Sequence, residues 1–397
     1  MGIEADDARV REALAAHSGT EAGQWHLVSK ARHGMQVLFE TLRSARGEGE
    51  VLTQGLTCCT AVDPIIAAGL VPAYGAVSPR SLALDPEALT ASDRTRAIVL
   101  QHTFGLVDDA GAAGLRARAD RVGALLVEDS AHCVGRLARD AGGRPLADVS
   151  VHSFGIEKIL PTRFGGAVWI APGLADTPLG TRLVSALDGL PQAGHRADLL
   201  VRGYRTELRV LTHLPAPVAR PLRRMLTDAG LFEPAVADVE RRGGVSRRPM
   251  RPSALVLRQV AAGLAGLDAN ERLRRRTVTV YRRELGRVPG VELPELVRED
   301  PVQPLLRLPL LVADTARARR LIAELRDAGL YATDWYRPAL YPGVTDPTAY
   351  RYDPAAPQNR PGERIIARIL NLPTDVGPNR ARAAVEVIAR SAATPGD

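Results

Sequence analysis

Over the first 170 residues, apolar runs of strand length alternate with amphipathic stretches. HGMQVLFETLRSA (33–45) spaces its apolar residues at helical intervals behind a glycine and predicts a helix opening there. A short strand is predicted around Val51–Leu52, a helix over 61–70, and a strand in VPAYGAV. RAIVLQHT (96–103) is an apolar run of strand length, and 111–122 has helical spacing. GALLVEDSAH (123–132), ADVSVHSFG (147–155) and GGAVWIAP (165–172) predict further strands. Buried strands separated by helices argue for an α/β fold, a mostly parallel sheet covered on both faces. Ligands of such sheets collect at the carboxyl ends of the strands. The polar residues there are His102, Asp129, His132 and Ser153.

The pattern changes between about 215 and 252, where PAPVARPLRRM and RRGGVSRRPMRPS read as Pro-, Gly- and Arg-rich connectors. After Pro252 one long amphipathic helix is predicted, with Leu257, Val260, Ala261, Leu264 and Leu267 on a stripe. A strand at 305–312, a helix from the Asp314 cap to Gly329, a strand in LYATDWY and a last helix in NRARAAVEVIARSA complete a smaller α/β unit. The expected division is a large domain over 1–250 and a small one over 251–397.

Composition narrows the function classes. The chain has 397 residues, 45% hydrophobic and 24% charged, enough for two domains with a large core. No apolar run reaches the length of a membrane span, and the amino terminus is acidic without an apolar signal core. Cys58, Cys59 and Cys133 fit neither a disulfide framework nor a zinc ligand set. A reduced, cytoplasmic compartment and no metal are therefore expected. The net charge of +7 is modest, and its arginines look compositional and not clustered for a nucleic-acid groove, so no nucleic-acid partner is expected. Of 52 basic residues only Lys30 and Lys158 are lysine. A guanidinium cannot act as a nucleophilic amine, so a lysine inside a structured motif is a candidate for amine chemistry.

Asp129 closes one buried strand, while Ser153 and Lys158 close the next. A buried carboxylate needs a cation opposite it. An amine five residues beyond a strand-end hydroxyl, in a loop broken by Gly155 and Pro161, can reach the same cavity. These groups suit pyridoxal 5′-phosphate: a lysine for its aldehyde, an aspartate for its pyridine nitrogen, hydroxyls and backbone N–H groups for its phosphate. Gly165-Gly166 lets backbone pass close to the lysine loop.

Three elements resemble the DegT/DnrJ/EryC1/StrS family of fold type I pyridoxal-phosphate enzymes, mostly sugar aminotransferases. They are Glu128-Asp129-Ser130-Ala131-His132, Ser153-Phe154 through Lys158 with Gly165-Gly166, and His102-Thr103-Phe104-Gly105. The resemblance implies a seven-stranded, mostly parallel sheet sandwiched by helices, plus a smaller carboxyl-terminal α/β domain. It makes Lys158 the Schiff-base lysine and proton carrier, places Asp129 on the pyridine nitrogen, His132 near the ring hydroxyl and Ser153 on the phosphate. Gly34-Met35 loosely matches the phosphate turn at a helix start.

The chain departs from the family at three points. Thr57-Cys58 stands where a Thr-aromatic step stacks on the cofactor, so Cys58 or a group from elsewhere covers the ring. The lysine loop runs Thr162-Arg163-Phe164-Gly165-Gly166. The segment at 245–251 lacks the asparagine that reaches across the dimer, leaving Arg247, Arg248 or Arg251 as substitutes. The resemblance implies a homodimeric aminotransferase moving an amino group from Glu or Gln to a keto group on a nucleotide-linked sugar or a related small molecule in biosynthesis. Dehydration or carbon–carbon cleavage with the same cofactor, and a non-catalytic binding or regulatory relative, remain open alternatives. Trp335-Tyr336-Arg337 falls where the family's small domain nears the substrate.

Overall fold

The computed structural model describes residues 2–194, 197–204, 213–229 and 231–393. Seven strands form one sheet: β1 (Trp25–Val28), β2 (Glu50–Thr53), β3 (Val71–Tyr74), β4 (Thr95–Gln101), β5 (Leu125–Ser130), β6 (Val149–Ser153) and β7 (Gly166–Ile170). Their order is β1-β7-β6-β5-β4-β2-β3. β3, β2, β4, β5 and β6 run parallel, while β7 is antiparallel to both β6 and β1. The central strands are buried along their whole length because helices cover both faces.

α1 (Ile3–Ser18), α2 (Ala31–Arg46), α3 (Cys59–Ala67), α4 (Asp109–Val122), α5 (Pro172–Ala175) and α6 (Pro178–Asp188) accompany the sheet. One apolar cluster joins α2, through Met35, Leu38 and Leu42, to Val151 and Val168 of the sheet. On the other side Val10 and Leu14 of α1 pack with Trp25, Trp169, Leu257 and Val260. Beyond residue 300, β8 (Arg307–Leu311) and β9 (Ile369–Pro373) pair antiparallel. The helices Leu267–Leu285, Thr315–Asp327 and Pro378–Ala393 cover them in a third cluster, which also takes in Phe104 and Leu106 from the loop after β4.

Several expectations need correction. α2 begins at Ala31, capped by Lys30, so Gly34 lies inside it and not at its start. A Cβ at Gly34 would lie 2.4 Å from Val168 Cγ2, so this glycine lets the helix approach the sheet. PAPVARPLRRM is a helix, Ala216–Asp228, and not a connector. The long helix after Pro252 is two, Ala254–Ala265 and Leu267–Leu285, broken at Gly266. LYATDWY is not a strand; it makes one bridge, Thr333 to Asn371, and β8 pairs instead with β9. The cap at Asp314 is present: its carboxylate accepts from the Arg317 N–H at 2.8 Å.

Candidate active site

Strands β4, β5 and β6 end side by side, and Gln101, Asp129 and Ser153 at those ends border a cavity of about 400 Å³. The loop from Gly155 to Gly165 forms its next wall. Ile159 and Leu160 of that loop are buried in the α1-side cluster, while the intervening chain turns Lys158 to the cavity. The loop closes on itself where the Phe154 N–H donates to Gly165 O at 2.9 Å. At Gly166 an added Cβ would lie 2.7 Å from Ala31 N, so only glycine lets the start of α2 lie against the start of β7. Ala31, Arg32 and Met35 of α2 and Cys58 at the head of α3 complete this side. The far side comes from residues 233–236 and from Trp335, Tyr336, Tyr341 and Pro342.

Six of the seven site residues expected from sequence therefore share one cavity: Met35, Cys58, Asp129, His132, Ser153 and Lys158. Gly34 does not line it. Arg337 faces away, its guanidinium donating to Ile366 O at 2.9 Å. His102 lies beneath the site, its Nε2 3.3 Å from Glu128 Oε1. The 241–251 segment packs on its own chain: the Ser29 N–H donates to Met250 O at 2.9 Å, and Arg251 pairs with Asp7 at 3.1 Å. Lys30, Arg32, Glu233 and Tyr341 line the cavity without having been singled out as site residues. Only Lys30 carried a signal, the scarcity of lysine.

The electrostatics favour reactive forms. Burial pushes the Lys158 amine below its ordinary range, with Cys58 and Asp129 pulling the other way. Burial pushes the Asp129 carboxyl up, against Lys158, the Ala131 N–H and His102. Lys158 is thus the leading compensation for Asp129, while Cys58 comes ahead of Asp129 in compensating Lys158. The Cys58 thiol is held low first by its hydrogen bond with Cys59, then, against burial, by Thr60, whose Oγ1 donates to Sγ at 3.0 Å, and by the Arg32 charge.

The His132 imidazole is pushed well below its ordinary range, by burial first and then by Lys158 and Arg307. Its Nδ1 accepts from the Phe104 N–H at 2.9 Å, so the neutral ring carries its proton on Nε2. Nε2 lies 2.6 Å from Tyr336 Oη and donates to it. The Tyr336 hydrogen is then free to point at the cavity. The ring planes of His132, Tyr336 and Trp335 are nearly parallel in pairs, 7° to 12° apart with centres 5.7–5.9 Å apart. Lys158 Nζ lies 5.8 Å from the centre of the Trp335 ring. Aromatic rings from the later part of the chain thus line the same cavity as Cys58.

A buried amine, a buried acid, a strand-end hydroxyl and the first turn of a 16-residue helix around one cavity fit the parts of pyridoxal 5′-phosphate. The comparisons agree in fold. The aminotransferase TlmJ from Streptoalloteichus hindustanus superposes over 97% of this chain and 90% of that one, with TM-score 0.67 and 22% identity. NtdA from Bacillus subtilis, solved with bound cofactor PMP, covers 96% and 77% at TM-score 0.66 and 14% identity. These likenesses establish the fold type I architecture. In sequence the chain is similar to an L-glutamine:2-deoxy-scyllo-inosose aminotransferase of Streptoalloteichus tenebrarius, 32% identical over 169 residues. That match spans 42% of this chain and 38% of the relative's length. Residues 5–177 match the DegT/DnrJ/EryC1/StrS aminotransferase family, whose stretch includes every strand of the main sheet together with Asp129, Ser153 and Lys158. Over that stretch, a little under half of its length, the chain is similar to the DegT/DnrJ/EryC1/StrS aminotransferase family, and its fold is shared with aminotransferase structures over nearly the whole chain.

Proposed function

We propose that the protein is a pyridoxal-phosphate-dependent aminotransferase that moves an amino group from glutamine or glutamate to a ketone on a sugar or cyclitol. The observation that carries this reading is that Lys158 and Asp129, both buried and each shifting the other's protonation, face one cavity. The 2-deoxy-scyllo-inosose relative supports the donor and the cyclic ketone class.

Bound there, the cofactor supplies an aldehyde that captures amines and a ring that stores the electron pair of a broken C–H bond. The chain's own residues do the rest. Lys158, lowered in basicity by burial, would offer its Nζ to the aldehyde and carry a proton to and from the substrate carbon at that atom. Asp129 stabilises a protonated ring nitrogen, which returns the countercharge its own burial demands. Ser153 and the first turn of α2 hold the phosphate. The stacked His132, Tyr336 and Trp335 wall excludes water and presents the Tyr336 O–H to an oxygen of the bound molecule. Cys58, Met35 and His132 complete the pocket.

We further propose a homodimer, supported by Leu199, Val218, Met225, Leu231 and Val239, large apolar side chains 47–66% exposed between residues 199 and 239. The division at residue 250 into a large and a small domain is likewise proposed. No helix among the described residues is long and apolar enough to cross a membrane. A cytoplasmic setting is supported by three cysteines that are all unpaired.

The test is borohydride reduction of the protein with pyridoxal 5′-phosphate, followed by peptide mass spectrometry. A visible absorption band and a pyridoxyl label on Lys158 are expected, and both vanish in Lys158→Ala. A wild type that takes no label, or takes it elsewhere, sinks the reading. Loss of the band on adding glutamine or glutamate, with release of the keto acid, separates transamination from dehydration and carbon–carbon cleavage.

A further inference from the structure

Among the described residues five basic side chains line the cavity: Lys30, Arg32, Lys158, Arg163 and Arg223. Both lysines of the chain are in this set, although lysine supplies two of its 52 basic residues. Chance alone would seldom place them so. Amine chemistry accounts for Lys158 and leaves Lys30 unexplained.

Lys30 is the residue at which α2 starts, and its side chain is 12% exposed. Its ammonium pairs with Glu233 and lies 5.8 Å from the centre of the Phe164 ring. Glu233 also holds Arg247, whose Nε is 3.3 Å from Oε2. Arg32, two residues on, pairs with the fully buried Glu240. This end of the cavity therefore sets two largely buried cations, Lys30 and Arg32, against two buried acids, with the part-exposed Arg247 sharing Glu233, beside the positive end of a helix whose first N–H groups have no partner within it. Because Glu233 is shared between Lys30 and Arg247, the ammonium can turn to an incoming anion while Arg247 still neutralises the acid it leaves. An ammonium is compact and turns its three donors freely, so it suits a tetrahedral anion where the longer planar fork of arginine would crowd the helix start.

We propose that Lys30, backed by Arg32 and the first turn of α2, is the anchor for a phosphate monoester in this cavity, the phosphate of the cofactor. Glu233 orients the ammonium, and Arg247 stays with Glu233 when Lys30 turns to the phosphate. The anchor lies in the same chain as Lys158, so it does not depend on a neighbouring subunit. It rests on the cofactor reading above.

The experiment titrates apo-protein with pyridoxal 5′-phosphate and with pyridoxal, following tryptophan fluorescence and the visible band. Lys30→Met should weaken the phosphorylated aldehyde by about tenfold or more, the scale of one charge-assisted hydrogen bond. Pyridoxal affinity should stay unchanged, which also shows that the variant is folded. Lys30→Arg should recover part of the loss. Inorganic phosphate should compete with pyridoxal 5′-phosphate on the wild type and much less on Lys30→Met. Equal binding of pyridoxal 5′-phosphate by wild type and Lys30→Met overturns the inference and leaves the cofactor reading intact, as does a loss of both ligands together by a variant with the wild-type far-ultraviolet spectrum. A wild type that binds neither aldehyde removes the cofactor reading and the anchor with it.

Discussion

Gly34 tests whether the approach of α2 to the sheet sets the site. In Gly34→Ala the new methyl would lie 2.4 Å from Val168 Cγ2, more than 1 Å inside ordinary carbon–carbon contact. Overpacking of this kind costs about 1–3 kcal/mol, and the gain in helix propensity returns about 1 kcal/mol. The net expectation is a loss of about 1 kcal/mol. Val168→Ala alone removes two buried methyl-sized groups and leaves a small void, a loss of about 2–3 kcal/mol. In the double variant the new methyl occupies the space that Val168 vacates. The clash disappears, part of the void is filled and the propensity gain remains. Its loss should be about 1–2 kcal/mol, against about 3–4 kcal/mol from adding the single losses, a coupling of about 2 kcal/mol. Urea unfolding measures it, with Trp25 and Trp169, buried partners across the β1–β7 pairing, reporting beside far-ultraviolet circular dichroism. Losses that add to within about 0.5 kcal/mol would show that Gly34 and Val168 do not share the space, and the packing account of α2 would fall.

Further expectations follow from protons and hydrogen bonds. Tyr350 has one O–H, and Glu240 O, 2.6 Å away, can only accept it, so the Asp63 carboxyl bonded to the same oxygen must be the donor. Burial pushes Asp63 up to about 9, above its unfolded value of 3.8. The folded state thus holds a proton the unfolded chain releases, and stability is lost as pH rises from about 4 to about 9. Wild type should lose stability relative to Asp63→Asn across that window, and parallel pH profiles would refute the assignment. At His132, nitrogen-15 shifts should report an unprotonated Nδ1 and a protonated Nε2 that persist well below the ordinary imidazole range; a ring that titrates near its ordinary value would contradict the tautomer. Tyr336→Phe should cost about 1–3 kcal/mol in thermal or urea unfolding, because it strands the buried Nε2–H.

The parallel sheet was legible because its strands are uninterrupted apolar runs ending in polar residues, as in Leu125–Ser130 and Val149–Ser153. β1 was not, since four residues carrying His26 take their place only through pairing with β7, more than 130 positions away. β9 was hidden for a different reason: Ile365, Ile366, Ile369, Leu370 and Leu372 satisfy helical and strand spacing together, and the chain changes from helix to strand at Ile369. Pro215, Pro217 and Pro221 masked the helix Ala216–Asp228, although proline is well tolerated near a helix start. At Gly266 the apolar stripe continues across the break, so periodicity alone joined two helices.

The same contrast divides the site. Lys158, Asp129 and Ser153 announced themselves because the roles proposed for them demand particular residue types at strand ends. The wall of Trp335, Tyr336 and Tyr341 and the acid at Glu233 were brought there by packing of distant segments, which no local pattern records. The family match ends at Thr177 and so contains the amine, the acid and the hydroxyl, while the segments facing them across the cavity lie beyond it. Resemblance over that stretch speaks to the reaction and not to what the cavity admits. Exchanging side chains at 233–236 or 335–342 should therefore shift the choice of ketone while leaving borohydride labelling of Lys158 in place, and variants that lose both together would show that the two sides are not separable.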